Sequence, residues 1–205
     1  MVHYLFPTPV YVANAESPFI KENEQLDKFD ITAKGFNEYG EKSVNTYILD
    51  DFRLSELSRW IVQQINLYST QELFKGTNAK DYVLLQSWIS IKYPGQAHAA
   101  HIHPNSVISG VYYWEPVVQP ITFVNSKPVE IGPTQLNDYT FTLPGIQPGT
   151  LVLFPSNLKH TVAVNNTDTP RKSLAFNSIP TTGFGSRGQL TEIDLERLKH
   201  KLIGR

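Results

Sequence analysis

The sequence contains no cysteine among its 205 residues. Disulfide bonds, thiolate nucleophiles and zinc–sulfur sites are therefore all excluded as sources of stability or chemistry. A chain without thiols fits a reducing compartment, so we expect a cytoplasmic location.

An excess of charge and a long apolar run are also missing. The chain has 18 Lys and Arg against 19 Asp and Glu, which leaves a net charge of −1 and a pI near 6.6. This balance gives no reason to expect nucleic acid or an anionic membrane as a partner. No apolar run approaches about 18 residues, and the N-terminus lacks a basic start, so we expect neither a membrane span nor a signal peptide.

Two segments have the pattern of helices. Residues 51–74, DFRLSELSRWIVQQINLYSTQELF, place large apolar residues at spacings of three and four, which predicts an amphipathic helix with Asp51 as a cap near its start. Residues 190–205, LTEIDLERLKHKLIGR, open with a Thr-x-x-Asp cap signal and predict a short terminal helix.

The region from Tyr82 onward has the pattern of short strands. Its β-branched and aromatic runs are separated by Pro, Gly and Asn, which is typical of an antiparallel sandwich or barrel. We therefore predict a mostly β fold of seven or eight strands flanked by helices. Residues 1–13 alternate like an edge strand broken by prolines, and such a strand could pair with a second copy in a homodimer.

Half of the six histidines lie in one stretch, YPGQAHAAHIH, residues 93–103. On an extended chain His101 and His103 share one face, and His98 lies on the other. If the strand that precedes His160 pairs across a barrel mouth, three imidazoles converge, and imidazole suits iron, copper, zinc and nickel. The alternative is that these are solvated loop histidines, which is the commoner fate of a single His.

Arg171 and Ser173 follow His160 on one face of the segment RKSLAFN. An arginine inside a barrel is costly to desolvate unless it meets an anion. Its planar fork matches a carboxylate, and a hydroxyl two residues later can add another hydrogen bond. We therefore expect an anion clamp beside the histidines, the alternative being an exposed Arg171 at a strand start after Pro170.

These motifs together resemble the 2-oxoglutarate- and Fe(II)-dependent oxygenases, and the prolyl-hydroxylase-like branch in particular. The resemblance covers about residues 82–180 and is carried by YPGQAHAAHIH, SGVYYW, GTLVLFPSNLKHTV and RKSLAFN. It implies a double-stranded β-helix, a jelly-roll or cupin-like barrel, as the catalytic core of a single domain spanning residues 1–205. It also implies a dioxygenase that uses Fe(II) and 2-oxoglutarate to hydroxylate a small-molecule or peptidyl substrate.

The resemblance further implies roles for individual residues. His101 and His160 match metal ligands of the family, and Arg171 with Ser173 matches the anchor of the distal carboxylate of 2-oxoglutarate. Tyr93 and Tyr113 match tyrosines that hydrogen-bond this cosubstrate. For both tyrosines, simple packing in the barrel core is an equal alternative.

The chain departs from the family pattern at one ligand. His103 stands where the family has an aspartate, so the metal would be held by a third imidazole, or by Asn105 or water if His103 turns away. Relatives without the carboxylate include hydroxylating and halogenating enzymes. The reaction type is therefore left open by the sequence.

Two other readings compete with the oxygenase. A cupin would share the Gly-x5-His-x-His pattern of Gly95, His101 and His103, but its glutamate ligand is missing from the residues after His103. A jelly-roll module without catalysis, carrying incidental histidines, is the other. Succinate release from 2-oxoglutarate distinguishes the oxygenase from the cupin, and metal binding distinguishes both from the non-catalytic module.

Overall fold

The computed structural model describes residues 7–16, 19–32, 40–74, 81–125, 130–131, 134–135 and 140–203. The helices are α1 (Ile20–Leu26), α2 (Ser55–Tyr68) and α3 (Leu195–Ile203), with 3-10 turns at Ile48–Asp50, Phe52–Leu54 and Arg187–Gln189 and a π-helical turn at Ser69–Leu73. The strands are β1 (Tyr11–Asn14), β2 (Ile31–Thr32), β3 (Glu41–Ser43), β4 (Tyr82–Lys92), β5 (His98–His101), β6 (Ile108–Tyr113), β7 (Ile121–Val124), β8 (Glu130–Ile131), β9 (Thr134–Gln135), β10 (Thr140–Thr142), β11 (Thr150–Pro155), β12 (His160–Val162), β13 (Arg171–Pro180), β14 (Gly183–Phe184) and β15 (Ile193–Asp194).

Two antiparallel sheets form the core of the fold. The larger sheet has the strand order β1-β11-β6-β13-β4-β3-β2, and the smaller has the order β10-β7-β12-β5. Side chains of β6 and β11 pack against those of β7, so the sheets face each other. The predicted mostly β, double-stranded β-helix architecture with helices before and after it is confirmed.

Alternation along the strands of the larger sheet separates two apolar layers. Tyr112, Leu151 and Leu153 join the cluster that packs on α2, whereas Tyr113 and Val152 join the cluster between the two sheets. Because successive side chains of a strand point to opposite faces, each strand here supplies both layers. The inner face of β4 and β13, which carries Ser90 and Arg171, lines the candidate site described below.

The first predicted helix is present. Asp51 Oδ1 accepts a hydrogen bond from the Arg53 backbone N–H, so the predicted cap begins a 3-10 turn that runs into α2. The large apolar residues of α2 are buried against the larger sheet: Leu57, Ile61, Ile65 and Tyr68. The short helix α1 was not predicted.

The terminal helix begins later than its cap signal suggested. Ile193 and Asp194 pair as a strand with β14, so α3 starts at Leu195. Asp194 rather than Thr191 is the cap, because its Oδ1 accepts from the Arg197 backbone N–H at 2.9 Å.

The N-terminal segment contributes an edge strand. β1 pairs with β11 at one end of the larger sheet, and residues 1–6 of the predicted strand lie outside the described residues. A homodimer formed through this strand stays a prediction. Within the described residues, no helix has the length and apolarity needed to cross a membrane.

Gly110 of β6 predicts a packing effect on stability. A Cβ at this position would lie 2.3 Å from Phe176 Cζ and 2.7 Å from Leu153 Cδ2, and both side chains are fully buried. We expect Gly110→Ala to lower the free energy of unfolding by about 1–3 kcal/mol, because the core must shift to admit the methyl group. Urea denaturation measures this change.

The matched control is Gly188→Ala. Gly188 lies in an exposed 3-10 turn, its φ is not positive, and the nearest atom to a Cβ would be 4.0 Å away. We expect no loss of stability there. If the Gly110→Ala and wild-type proteins were equally stable, the packing around β6 would be looser than these distances indicate, and the prediction would be wrong.

Candidate metal centre and anion pocket

Three imidazoles meet at the open end of the smaller sheet. His101 ends β5 and His160 begins β12, and the two residues are direct partners in the antiparallel register. His103 lies just beyond β5, where its backbone N–H donates to the Ser156 carbonyl. One ligand nitrogen from each of the three rings lies within 4.8 Å of the other two.

Backbone carbonyls select which nitrogen of two rings can bind a metal. His101 Nδ1 lies 2.9 Å from the Ala99 carbonyl, and His160 Nδ1 lies 2.9 Å from the Leu158 carbonyl. Because a carbonyl only accepts, each Nδ1 donates its proton and Nε2 is left for coordination. His160 Nε2 lies 3.2 Å from His103 Nε2. This is close to the spacing of two nitrogens at right angles around a metal roughly 2.1 Å from each.

Desolvation keeps two of the three histidines, His103 and His160, neutral. Desolvation, together with the neighbouring His160 and His101, lowers the pKa of His103 to about 3. Desolvation also lowers the pKa of His160 to about 4. Neutral imidazole is the form that binds a metal, so proton competition at these two rings is weak near neutral pH.

His98 is closer to this cluster than its sequence position indicated. The sequence placed it on the opposite face of the strand, and this was wrong, because its ring stacks on that of His101 at a centroid distance of 4.2 Å. The register between β5 and β12 shifts between His160 and Val162, so three steps on β5 match two on β12. Such a bulge reverses the alternation and turns His98 into the cavity.

The predicted anion clamp lies in the same cavity. Arg171 and Ser173 line it together with the three histidines and Tyr113. Arg171 is buried, and it donates from Nη1 to the Gln119 carbonyl at 2.9 Å and from Nη2 to the Ala163 carbonyl at 3.0 Å. The exposed, ion-paired alternative for Arg171 does not hold among the described residues.

The two predicted tyrosines lie in different places. The Tyr113 hydroxyl is buried beside the cavity and accepts from the Ile121 backbone N–H at 2.9 Å, and burial raises the pKa of Tyr113 to about 12. Tyr93 does not line the cavity. Its hydroxyl donates to Glu41 Oε2 on the opposite face of the sheet, because Lys92 before it shares the inner face with its register partner Arg171.

Asn105, the alternative third ligand, is not near the other ligands. It is exposed, its φ of 64° is left-handed, and it lies in the turn after His103 without lining the cavity. The structure therefore brings His103 rather than Asn105 to the cluster. Ser90 and Gln119, which the sequence did not single out, also line the cavity.

Three desolvated histidines, of which His160 is buried and His98 and His103 are half-buried, predict an acid-sensitive fold for the metal-free protein. The folded-state pKa values of His98, His103 and His160 are lowered to about 3, 3 and 4 from 6.5. Below pH 6.5 the unfolded chain therefore binds protons that the folded chain does not, and stability is lost as the pH falls. We expect a fall of up to about 1.4 kcal/mol per pH unit for each histidine. Urea denaturation with a chelator between pH 7.5 and 4.5 measures it.

The control for this pH effect is His98→Gln, which removes one such group and leaves the three clustered imidazoles in place. We expect its pH dependence to be less steep than that of the wild type. The interpretation fails if the two proteins lose stability in parallel on acidification.

A protein-family comparison agrees with this geometry. The profile described as "Putative 2OG-Fe(II) oxygenase" matches residues 86–177, a range that contains the three clustered histidines, Arg171 and Ser173. The core of the chain is therefore similar to the 2OG-Fe(II) oxygenases. No curated protein sequence matches the chain.

Solved structures share the fold of this chain. HygX from Streptomyces hygroscopicus, crystallised with nickel, 2-oxoglutarate and hygromycin B, aligns with a TM-score of 0.61 at 11% identity over 88% of this chain and 86% of its own. The 2-oxoglutarate-dependent epimerase SnoN aligns at 0.62 and 14% identity over 85% and 77%. A Pseudomonas putida prolyl-4-hydroxylase aligns at 0.51 and 16% identity over 83% and 92%.

Proposed function

We propose that the protein is a non-haem Fe(II)- and 2-oxoglutarate-dependent dioxygenase that hydroxylates a C–H bond of a small-molecule substrate. The observation that carries the proposal is one cavity lined both by a cluster of three metal-binding imidazoles and by a buried guanidinium that has no carboxylate partner among the described residues. Within the described residues, no carboxylate lies within ion-pair distance of Arg171. A ligand that is both a metal chelator and an anion fits this arrangement.

The residues present fit an iron ion. His101, His103 and His160 would hold it, and bound Fe(II) would supply the activation of O₂ coupled to decarboxylation of 2-oxoglutarate to succinate. The carbonyls of Ala99 and Leu158 hold the rings of His101 and His160 in the coordinating tautomer. Phe154 packs edge-on against the His160 ring, and Trp88 tilts against His103, so apolar side chains exclude water from two ligands.

Arg171 and Ser173 would bind the distal carboxylate of 2-oxoglutarate. The guanidinium is already fixed by the Gln119 and Ala163 carbonyls, so little side-chain freedom is lost when an anion arrives. The buried Tyr113 hydroxyl accepts one hydrogen bond from Ile121, and its own proton is free to be donated to a cosubstrate oxygen.

Hydroxylation is favoured over halogenation by the position of His103. A halide that is transferred to substrate must first occupy a metal position. Here the place of the family's carboxylate is taken by an imidazole whose Nε2 lies 3.2 Å from that of His160. The position is therefore filled by protein.

A small-molecule substrate is supported by the related structures that hold one. HygX was crystallised with hygromycin B, and SnoN with nogalamycin RO. A cytoplasmic location fits the absence of cysteine. The assignment of all 205 residues to one catalytic domain stays part of this proposal.

Uncoupled turnover tests the function without knowledge of the substrate. The protein, Fe(II) and 2-oxoglutarate are mixed in air, and succinate and CO₂ are quantified, with an anaerobic sample and a Zn(II)-loaded sample as controls. We expect equimolar products that require Fe(II) and O₂. A protein that binds Fe(II) but neither binds nor consumes 2-oxoglutarate would instead be a cupin-type metal protein.

A further inference from the structure

Two cations lie side by side on the inner face of the larger sheet. Lys92 of β4 and Arg171 of β13 are direct partners in the antiparallel register. Only 4% of Lys92 and 8% of Arg171 is exposed. Like charges directly opposite each other in a sheet are destabilising, and burial increases the effect.

No described residue neutralises this pair. Lys92 Nζ donates to Ser90 Oγ at 2.9 Å, and Arg171 donates to the neutral oxygens of Gln119 and Ala163. Burial and the charge of Arg171 together lower the pKa of Lys92 to about 8. The neighbouring Lys172, by contrast, points to the outer face and binds Asp27 at 2.7 Å and Glu115 at 3.6 Å.

The backbone at Gly40 leaves room for the Lys92 side chain. A Cβ on Gly40 would lie 2.9 Å from Lys92 Cδ and 2.1 Å from the Ile91 carbonyl, so only glycine leaves room for the lysine stem. Gly40 also has a φ of +74°, which glycine adopts without strain. A buried, unneutralised cation with its own packing niche indicates a ligand-binding role.

The surrounding side chains define what the ligand is. Ser90 and Ser173 are also direct partners across β4 and β13, and both line the cavity that contains the histidines. Lys92 does not line this cavity itself, but its Nζ donates to Ser90 Oγ, which does. The two cations and two hydroxyls thus form one polar patch on the inner face, a set suited to a carboxylate.

We propose that Lys92 is a second cationic anchor for the distal carboxylate of 2-oxoglutarate, which it shares with Arg171 across the paired strands. The inference rests on the proposed function. Lys92 supplies a compact charge through the Ser90 hydroxyl, whereas Arg171 supplies a planar fork held by carbonyls. Part of the cosubstrate affinity then comes from relief of the repulsion between the two cations.

The test compares Lys92→Met and Lys92→Arg with the wild type, with Lys172→Met as the matched control on the outer face of the same sheet. The Mn(II)-loaded proteins are titrated anaerobically with 2-oxoglutarate and with 2-oxopentanoate, which has the same oxo-acid end and lacks the distal carboxylate. We expect Lys92→Met to weaken 2-oxoglutarate at least tenfold and to leave 2-oxopentanoate unchanged. Lys92→Arg and Lys172→Met should retain affinity for both ligands.

Thermal unfolding separates a binding role from a structural one. Removal of a buried, unneutralised charge should raise the Tm of the ligand-free Lys92→Met protein, and the further rise caused by 2-oxoglutarate should be smaller than in the wild type. A lower Tm in the ligand-free variant, or an unchanged affinity for 2-oxoglutarate, would overturn the assignment. Failure of the wild type itself to bind 2-oxoglutarate would overturn the proposed function instead. If Lys92→Met bound 2-oxoglutarate normally and lost affinity only for the substrate to be hydroxylated, Lys92 would be a substrate-binding residue and the assignment would be wrong.

Discussion

His160→Ala is expected to abolish turnover of 2-oxoglutarate and to weaken Fe(II) binding by more than about 100-fold, since loss of an outer partner of a ligand already costs 10–100-fold. The ring of His160 lies 4.3 Å from that of His101 and 5.0 Å from that of His103. Without it, only two imidazoles remain. Anaerobic calorimetry with Fe(II), and Mn(II) as a redox-stable substitute, measures the loss.

The control for this variant is His200→Ala, in which an exposed histidine of α3 is replaced. It should bind metal as the wild type does. Stoichiometric, tight Fe(II) binding by His160→Ala would mean that the metal centre lies elsewhere, and the proposed function would lose its main support.

Arg171→Ala is expected to weaken 2-oxoglutarate binding by about 2–5 kcal/mol, because a buried charged hydrogen-bond partner is lost. This corresponds to roughly 30-fold to several thousand-fold in Kd. Metal affinity should remain, because the guanidinium contacts Gln119 and Ala163 rather than any of the three clustered histidines. Titration of the Mn(II)-loaded protein with 2-oxoglutarate measures the effect.

Arg53→Ala serves as the matched control, since Arg53 forms a surface pair with Asp51 at 2.7 Å, far from this chemistry in the sequence. We expect it to bind 2-oxoglutarate normally. If Arg171→Ala keeps wild-type affinity for 2-oxoglutarate while it folds and binds Mn(II), the anion clamp is misassigned.

The fold and the cluster of three histidines were accessible from the sequence because local rules determine them. The spacing of apolar residues predicted α2, the short β-branched runs predicted the sheets, and His-x-His places two rings on one side of a strand. The position of Arg171 on a strand after His160 placed it near the same cavity. All of these depend on periodicity along one segment.

The features that sequence reasoning missed depend on pairing between segments. Lys92 matters because it is the register partner of Arg171, and that register is set by the whole length of β4 and β13. His98 turns inward because of a bulge against β12, which one strand's sequence does not encode.

The outward position of Tyr93, by contrast, follows from alternation along β4 alone. Trp88 and Ser90 line the cavity, so Lys92 follows them inward and Tyr93 must point outward, where it meets Glu41. The face of the strand on which this tyrosine lies therefore outweighs its likeness to the family's tyrosine.

An all-nitrogen ligand set has a practical consequence for the identity of the bound ion. Within the described residues the cluster comprises His101, His103 and His160 and no carboxylate. Affinity for nitrogen sites rises from Mn²⁺ and Fe²⁺ to Ni²⁺ and Cu²⁺. The site therefore gives iron no thermodynamic advantage, and its occupancy follows the supply of ions. Protein purified on a nickel column will therefore carry Ni²⁺ in place of iron. Its specific activity will depend on how it was purified until the bound metal is removed with a chelator and Fe(II) is added without oxygen.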